Sequence, residues 1–418
     1  MNPVNPSARA GSVPTVARGT TAVRNVGHGA NDLYWFILPP VLPLILQQFG
    51  LRYAAAGGIV AAFLTTTAIS SMLTGGLSDR VHRGRLVAFS FLLASTALLA
   101  AAFMPRLGLV IAFIVVAGIG VSTYHPAAYA SIHDTGQGRG RTYGAFEASG
   151  SLAIITMLTV QGLLVSRVGW RGLIVVGAIP GALMGVFLLL IPGLSIGEPL
   201  PRSGTGDLAA ATPAATRPAA HVPAAGALLP ALFIVGTMLR VLGVNALQNF
   251  TPTYLVRAVH MDPGIAAFAM GFLFLGSMAG AMTMGRLADR RGPFPVFLLS
   301  TGLLVPLLPI LGLRMPAFAY PALLVVIGFF NSACLPAQSM ILGGLSGDRG
   351  KGSVFGFLMA MNALTAAASP LLFGLLADAA GLVAAVRTCA IPVAAGWIVT
   401  VAVWWRLRLS TEDRVART

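Results

Sequence analysis

A short charged turn occurs twice in this chain, half a length apart. The first copy reads Gly75-Gly76-Leu77-Ser78-Asp79-Arg80-Val81-His82-Arg83-Gly84-Arg85 and the second Gly285-Arg286-Leu287-Ala288-Asp289-Arg290-Arg291-Gly292. Each closes one long apolar run and precedes another, and Asp79 and Asp289 lie 210 positions apart in a chain of 418. Other pairs keep nearly the same offset. Gly118 and Pro126 match Gly328 and Pro336 at 210, Gly144 matches Gly356 at 212, and Phe36-Ile37-Leu38-Pro39 matches Asn249-Phe250-Thr251-Pro252 at 213. The chain is therefore read as two copies of one helical unit that face each other.

The apolar runs decide what that unit is made of. Hydrophobic residues are 56% of the chain and charged residues 9%, with a mean hydropathy of +0.83. A soluble domain carries about a quarter charged residues, so a water-facing surface all round is excluded. Crossing a bilayer takes about 20 residues as helix, and the runs are that long. They are continuous rather than alternating, which excludes a β-barrel. The 49 glycines and 27 prolines are tolerated in membrane helices. The expected fold is an all-α integral membrane protein with twelve transmembrane helices in two pseudo-symmetric six-helix bundles. Spans are placed at 24–48, 54–77, 86–104, 107–131, 142–166 and 172–192, then 228–256, 264–286, 294–312, 317–342, 353–377 and 383–405. The domains follow as a cytoplasmic tail over 1–23, a bundle over 24–192, a linker over 193–227, a bundle over 228–405 and a tail over 406–418. The linker is rich in Ala, Pro, Thr and Gly. Residues 1–20 lack the apolar core of a signal peptide and read as a disordered cytoplasmic tail.

Basic residues set the orientation. With both termini inside, nineteen Lys and Arg fall on the cytoplasmic side and seven on the other, with Arg240 left inside a span. That bias fits the positive-inside rule and implies a bacterial-type inner membrane with both termini cytoplasmic. It also accounts for the net charge of +15 without nucleic acid: the charge is spread over one face and suits anionic lipid headgroups.

The paired Gly-x-x-x-Asp-Arg turns, the twelve spans and the central linker together resemble the major facilitator superfamily over residues 20–406. The resemblance implies secondary transport through a path between the bundles, usually by a monomer. It also implies a conformational latch at the turns, carried here by Asp79, Arg80, Arg83, Asp289 and Arg290. An aspartate near a helix N-terminus gains from the helix dipole, and arginines bridge the cytoplasmic surface. The alternative is that these residues only anchor loops among headgroups. The first copy has His82 where glycine is common, and the second lacks trailing basic residues. A narrower likeness, to the fosmidomycin-resistance type of efflux transporter, rests on three segments. They are His28-Gly29-Ala30-Asn31-Asp32, Gly118-Ile119-Gly120-Val121-Ser122-Thr123-Tyr124-His125-Pro126, and Arg240 followed by Asn245, Gln248, Asn249 and Pro252.

Charges inside spans are costly and mark mechanism. His28 and Asp32 are four apart and share a helical face, with Asn31 beside them. His125 and Glu147 fall at similar depth in neighbouring spans, so His28, Asp32, His125 and Glu147 are the candidate proton-coupling group. A carboxylate deprived of water binds a proton more readily, and histidine titrates near neutrality. The structural alternatives are a fixed carboxylate at Asp32, a solvated helix end at Glu147, a bond from His125 to a carbonyl freed by Pro126, and headgroup contact at His28. Arg240 is a counter-charge for an anionic substrate or an ion-pair partner of Asp32 or Glu147. Asn31, Asn245, Gln248 and Asn249 join it as candidate substrate-binding residues, against a role in helix–helix hydrogen bonding.

Enzyme readings find no support. No Gly-x-x-x-x-Gly-Lys-[Ser/Thr] loop, Cys-x-x-Cys or His-Glu-x-x-His pattern is present, so no metal or cofactor is expected. Cys334 and Cys389 read as small core residues. The sequence thus predicts a proton-coupled transporter of a small molecule, anionic if Arg240 faces it. Export by antiport is the first reading and uptake the second; a non-transporting sensor or assembly partner is the reading from another class.

Overall fold

The computed structural model describes residues 18–78, 81–125, 127–128, 139–191, 228–345 and 351–415, which are almost wholly helical. In the first half these are α1 (Arg18–Trp35), α2 (Leu38–Phe49), α3 (Tyr53–Ser78), α4 (Arg83–Phe103), α5 (Leu107–Val121) and α6 (Arg139–Leu190). The second half holds α7 (Leu228–Arg257), α8 (Pro263–Arg291), α9 (Pro293–Leu311), α10 (Ala319–Leu345), α11 (Lys351–Ala380), α12 (Leu382–Thr388) and α13 (Ala390–Val415).

Prolines and one glycine break these helices. α1 and α2 form a single crossing interrupted at Phe36 and Ile37. Pro39 and Pro40 open α2; they donate no N–H to the turn before them and crowd its carbonyls. Pro392 has the same effect at the junction of α12 and α13. α6 has 52 residues, about 78 Å if straight, more than twice the bilayer's apolar thickness. It folds back on itself at Gly169, whose φ of 63° is costly for other residues. A Cβ on Gly177 would lie 2.9 Å from Met157 Cε, so the two limbs pack side by side.

Among the described residues, ten stretches are long and apolar enough to cross a membrane. One of them, Ala145–Leu190, is the folded α6 and counts twice; the shorter apolar α5 completes twelve. The expected all-α fold of two bundles is the observed one. Boundaries differ in places. α5 ends at Val121 and Ser122 and Thr123 form a turn, after which Tyr124, His125, Ala127 and Ala128 are helical again; residues 129–131 of the expected span lie outside the described residues. The sequence explains the stop: Pro126 cannot donate to the Ser122 carbonyl four residues back, and Ser71 Oγ donates to that carbonyl instead at 3.2 Å. α1 and α13 run past the expected span limits, to Arg18 and Val415. Residues 193–227, the expected linker, lie outside the described residues.

Three buried clusters show how the halves meet. One belongs to the first half, around Tyr34, Phe91, Tyr124 and Leu173. Another belongs to the second, around Phe233, Phe297, Ile341 and Val403. The third is shared: Leu42, Leu46, Ala56, Val60, Ile154 and Leu158 pack with Phe250, Tyr254, Met270, Phe274 and Phe373. The end of the bundle at which α3 begins is its Tyr53 end and the opposite one its Ser78 end; Leu42, Leu46, Ala56 and Val60 lie toward the Tyr53 end. Among the described residues, the buried apolar core that the two halves share includes that end. Arginines fix the same end twice over: Arg171 donates to the carbonyls of Ala102 and Met104, and Arg387 to that of Gly312. Each satisfies carbonyls that end a helix.

Within the second half α8 and α10 touch backbone to backbone. A Cβ on Gly276 would lie 2.8 Å from the Val325 carbonyl carbon, and one on Gly280 2.8 Å from that of Phe329. Gly271 faces only Leu158 Cβ at 4.0 Å. Gly280→Val is therefore expected to destabilise the protein by about 1–3 kcal/mol and to lower its melting temperature in detergent. Gly271→Ala is expected to stay within about 0.5 kcal/mol of the native protein. Equal effects of the two would refute this packing account.

Candidate functional site

His28, Asn31 and Asp32 lie on one face of α1, as their spacing of three and four requires. His125 reaches them from beyond the end of α5. Its Nε2 is 3.3 Å from Asp32 Oδ1 and 3.3 Å from Asn31 Nδ2. His28 Nε2 is 3.4 Å from Asp32 Oδ2. The Asp32 carboxylate thus sits between two imidazoles, one oxygen toward each. The alternative in which His125 serves the carbonyl freed by Pro126 is not what the structure holds: Ser71 takes that carbonyl, and His125 turns to α1.

The first limb of α6 supports the group. The His28 ring stacks on Phe146 with centroids 3.6 Å apart and planes within 9°. His28 Nδ1 lies 2.6 Å from the Phe146 carbonyl, so it carries a proton and donates. Gly150 makes the approach possible: a Cβ there would fall 2.7 Å from His28 Cε1 and closer still to Asp32 Oδ2. Tyr124 OH donates to the Arg24 carbonyl, tying the end of α5 to α1.

This arrangement has a chemical consequence. With Nδ1 protonated, Nε2 of a neutral His28 bears a lone pair and faces a carboxylate oxygen. That contact is repulsive until a proton is added to either atom, when it becomes a hydrogen bond. His125 Nε2 is placed between an amide that donates and a carboxylate that accepts, and it can serve in either role according to its protonation. One proton can therefore be held on His28, Asp32 or His125 with little movement of heavy atoms. The three ligand atoms lie within 4.8 Å of one another, so the groups form one compact cluster. His28 and Asn31 are 2% exposed, whereas the Asp32 and His125 side chains keep 16% and 24% of their surface. The buried imidazole is fixed while the carboxylate and the second imidazole retain access. Trp35 adjoins them, its ring centroid 6.3 Å from that of His125. Its Nε1 is buried with no hydrogen-bond partner among the described residues.

The remaining candidates disperse. Glu147 is exposed, one residue past Phe146, and stands outside the three-residue group. Arg240 is 4% exposed and donates to Asn331 Oδ1 at 2.9 Å, while its Nε has no partner among the described residues. Its expected alternative partners, Asp32 and Glu147, form no ion pair with it. Asn249 Nδ2 donates to the Asn245 carbonyl at 2.9 Å and lies 3.2 Å from Asn245 Oδ1, while Gln248 is half-buried. Nine residues apart, Arg240 and Asn249 project to opposite sides of α7, so these residues do not converge on one point. Asp79 and Arg80 lie outside the described residues, and Arg83 opens α4. Asp289 and Arg290 are exposed in the last turn of α8 and make no ion pair with another described residue. Sequence reasoning missed Phe146, Ser149 and Gly150. Gly150 lay three residues from Glu147 in an otherwise ordinary apolar run, and nothing local distinguished it.

The profile of the Major Facilitator Superfamily matches residues 26–254 and 233–417. The chain is 28% identical over 300 residues to YceJ of Bacillus subtilis (strain 168), an uncharacterized MFS-type transporter, covering 71% of this chain and 72% of that one. It is 25% identical over 158 residues to the niacin transporter NiaP of Acinetobacter baylyi, 37% of this chain and 36% of that one. Among solved structures it is similar in fold to a bacterial homolog of the human lysosomal transporter Spinster in an inward-facing, unoccupied conformation. The TM-score is 0.71 at 16% identity, covering 94% of this chain and 96% of that one.

The geometry predicts the tautomer of His28. Nitrogen-15 spectroscopy of histidine-labelled protein is expected to show its neutral ring protonated at Nδ1. A neutral ring protonated at Nε2 would contradict the assignment. Gly150→Ala is expected to break the His28–Asp32 contact and remove this signature.

Proposed function

The chain belongs to the Major Facilitator Superfamily, and from that premise we propose that it couples movement of a small organic anion to protons through Asp32, His28 and His125. Secondary transport follows from the family; the coupling is our reading. The observation that carries it is the Asp32 carboxylate held between two imidazole nitrogens at 3.3 and 3.4 Å, a group that takes or releases a proton without rebuilding the site. Partial exposure of Asp32 and His125 lets the proton leave on the side that is open.

The substrate class is supported by donors without acceptors. Trp35 Nε1 is a buried donor beside the proton group, with no partner among the described residues. Arg240 is a buried guanidinium that no carboxylate among the described residues neutralises, which favours an anion nearby. A relative named for niacin, whose acid form is a monocarboxylate at neutral pH, is consistent with that class. Anion and proton together are electrically lighter to move than either alone, so the same group serves uptake with protons. Exchange of one for the other serves export, the direction favoured by the likeness to efflux transporters. The sign of the proton flux discriminates them.

Alternation between two access states completes the cycle. The arginine bias supports a cytoplasmic Ser78 end, and on that reading the shared core at the Tyr53 end closes the outer side. On this reading Asp289 and Arg290, which make no ion pair with another described residue, belong to a latch that closes the inner side in the other state.

Asp32→Asn is expected to lose accumulation of a small carboxylate such as nicotinate driven by a pH gradient in proteoliposomes, by at least about 100-fold. It should keep exchange of labelled for unlabelled compound, which needs no net proton movement. Loss of both alike would make Asp32 structural. Trp35→Phe is expected to raise KM about tenfold with coupling intact; an unchanged KM would remove Trp35 from the substrate site.

A further inference from the structure

The Tyr53 end carries a second carboxylate that the proton group does not use. Asp378, in the last turn of α11, reaches across to the first turn of α3 in the other half. Its Oδ1 accepts from Tyr53 N at 2.8 Å and its Oδ2 from Ala54 N at 3.0 Å. Arg52 Nε lies 3.5 Å from Oδ2, but that side chain is 80% exposed and Asp378 only 9%. An exposed arginine contributes little; the two backbone donors hold the carboxylate.

The placement is unfavourable for α11 itself. An aspartate near a helix C-terminus meets the negative end of the dipole, whereas the N-terminus of α3 presents the positive end and unsatisfied N–H groups. Asp378 therefore gains only while the two halves are together. The seam around it is built for close approach. A Cβ on Gly374, one turn before Asp378, would lie 2.8 Å from Ala54 Cα, and one on Gly57 would lie 2.9 Å from Leu371 Cα. Gly374-Leu375-Leu376-Ala377-Asp378 is also a Gly-x-x-x-Asp run, at the opposite end of the helices from the two repeated turns.

The internal repeat gives a comparison within the same molecule. Arg52 corresponds to Asp262 at the offset of 210, and Gly374 to Gly162 at 212. At the matching seam between α6 and α8, Asp262 Oδ1 accepts from Gly264 N at 2.8 Å and Ile265 N at 3.2 Å. There α8 is capped by its own residue, whichever state the halves adopt. At the other seam the capping position holds Arg52, and the cap comes from Asp378, 325 residues along the chain. One repeat keeps its cap in all states; the other has it only when this end is shut.

We propose that Asp378 is a positioning residue of the transport cycle: an interbundle cap that holds the Tyr53 end closed and is released when that end opens. The proposal rests on the alternating-access reading above but not on the proton group or the substrate. Two hydrogen bonds to a charged acceptor bias the closed state by roughly tenfold or more.

The test is a distance measurement between spin labels in the full-length protein, with no substrate added. One pair replaces Arg106 and Arg314 at the Tyr53 end, and the other replaces Leu190 and Arg291 at the Ser78 end; all four are exposed. Asp378→Asn is expected to raise the ratio of long to short distances at the first pair about tenfold and to shorten the second pair in step. Asp378→Glu should retain much of the native distribution. Arg52→Asp, at an exposed position that folding does not depend on, copies the Asp262 arrangement and repels Asp378, so it should open the same end even if Asp378→Asn fails to fold. Unchanged distances in Asp378→Asn or Arg52→Asp would overturn the proposal. So would broadening at the first pair with no change at the second, which marks local loosening. Because flux is not measured, these outcomes are separate from failure of proton coupling.

Discussion

A bilayer interior supplies no water, so each polar group there must be satisfied by the chain or reserved for a ligand. That constraint forces the backbone into helices and explains the repairs wherever prolines interrupt them. Ser71 takes the carbonyl released by Pro126, and Arg171 and Arg387 take the last carbonyls of α4 and α9. Groups left incompletely settled stand out against this background. Asp32 between its histidines, the indole of Trp35 and the guanidinium of Arg240 are among them and belong to the transport reading; Gln161, Thr253, Ser300, Thr301 and Gln338 also hold buried polar atoms with no partner among the described residues.

Close packing then determines which surfaces move. α8 and α10 meet through Gly276, Gly280 and Gly328 with backbones in contact, a junction fitted to travel as one body. The junction between halves has a different character. It joins a shared apolar core to a few polar contacts, among them Asp378 on α3 and Arg257 on the Pro43 carbonyl at 3.2 Å. Contacts of this kind can be exchanged for others at the opposite end, where Asp289 and Arg290 stand exposed. Proton occupancy of Asp32 would act on that balance because α1 and α2 form one crossing. Asp32 lies in its first part, and Leu42, Leu46 and the Pro43 carbonyl, all at the interface, lie in its second.

The repeat and the apolar runs made the fold legible, because both are properties of long windows. His28, Asn31 and Asp32 were legible too: helical spacing alone puts them on one face. His125 was grouped with Asp32 by depth, but contact between the two side chains was not legible, since the turn after Val121 can direct the residues before Pro126 in several ways. Arg240 was recognised as an outlier, yet its pairing with Asn331 depends on α10, 91 residues away. Gly150 and Asp378 were not singled out at all. The first is recognisable only from what a Cβ would strike, and the second only from which helix end lies opposite.

The central claim is that transport moves protons. Purified protein in vesicles loaded with a pH-sensitive dye, challenged with nicotinate and related small carboxylates and with phosphonates, measures this directly. The account predicts an internal pH change that requires the transported compound, saturates with it and is absent from protein-free vesicles. Accumulation of a compound with no accompanying proton movement would contradict it and leave the Asp32 group without a role in coupling.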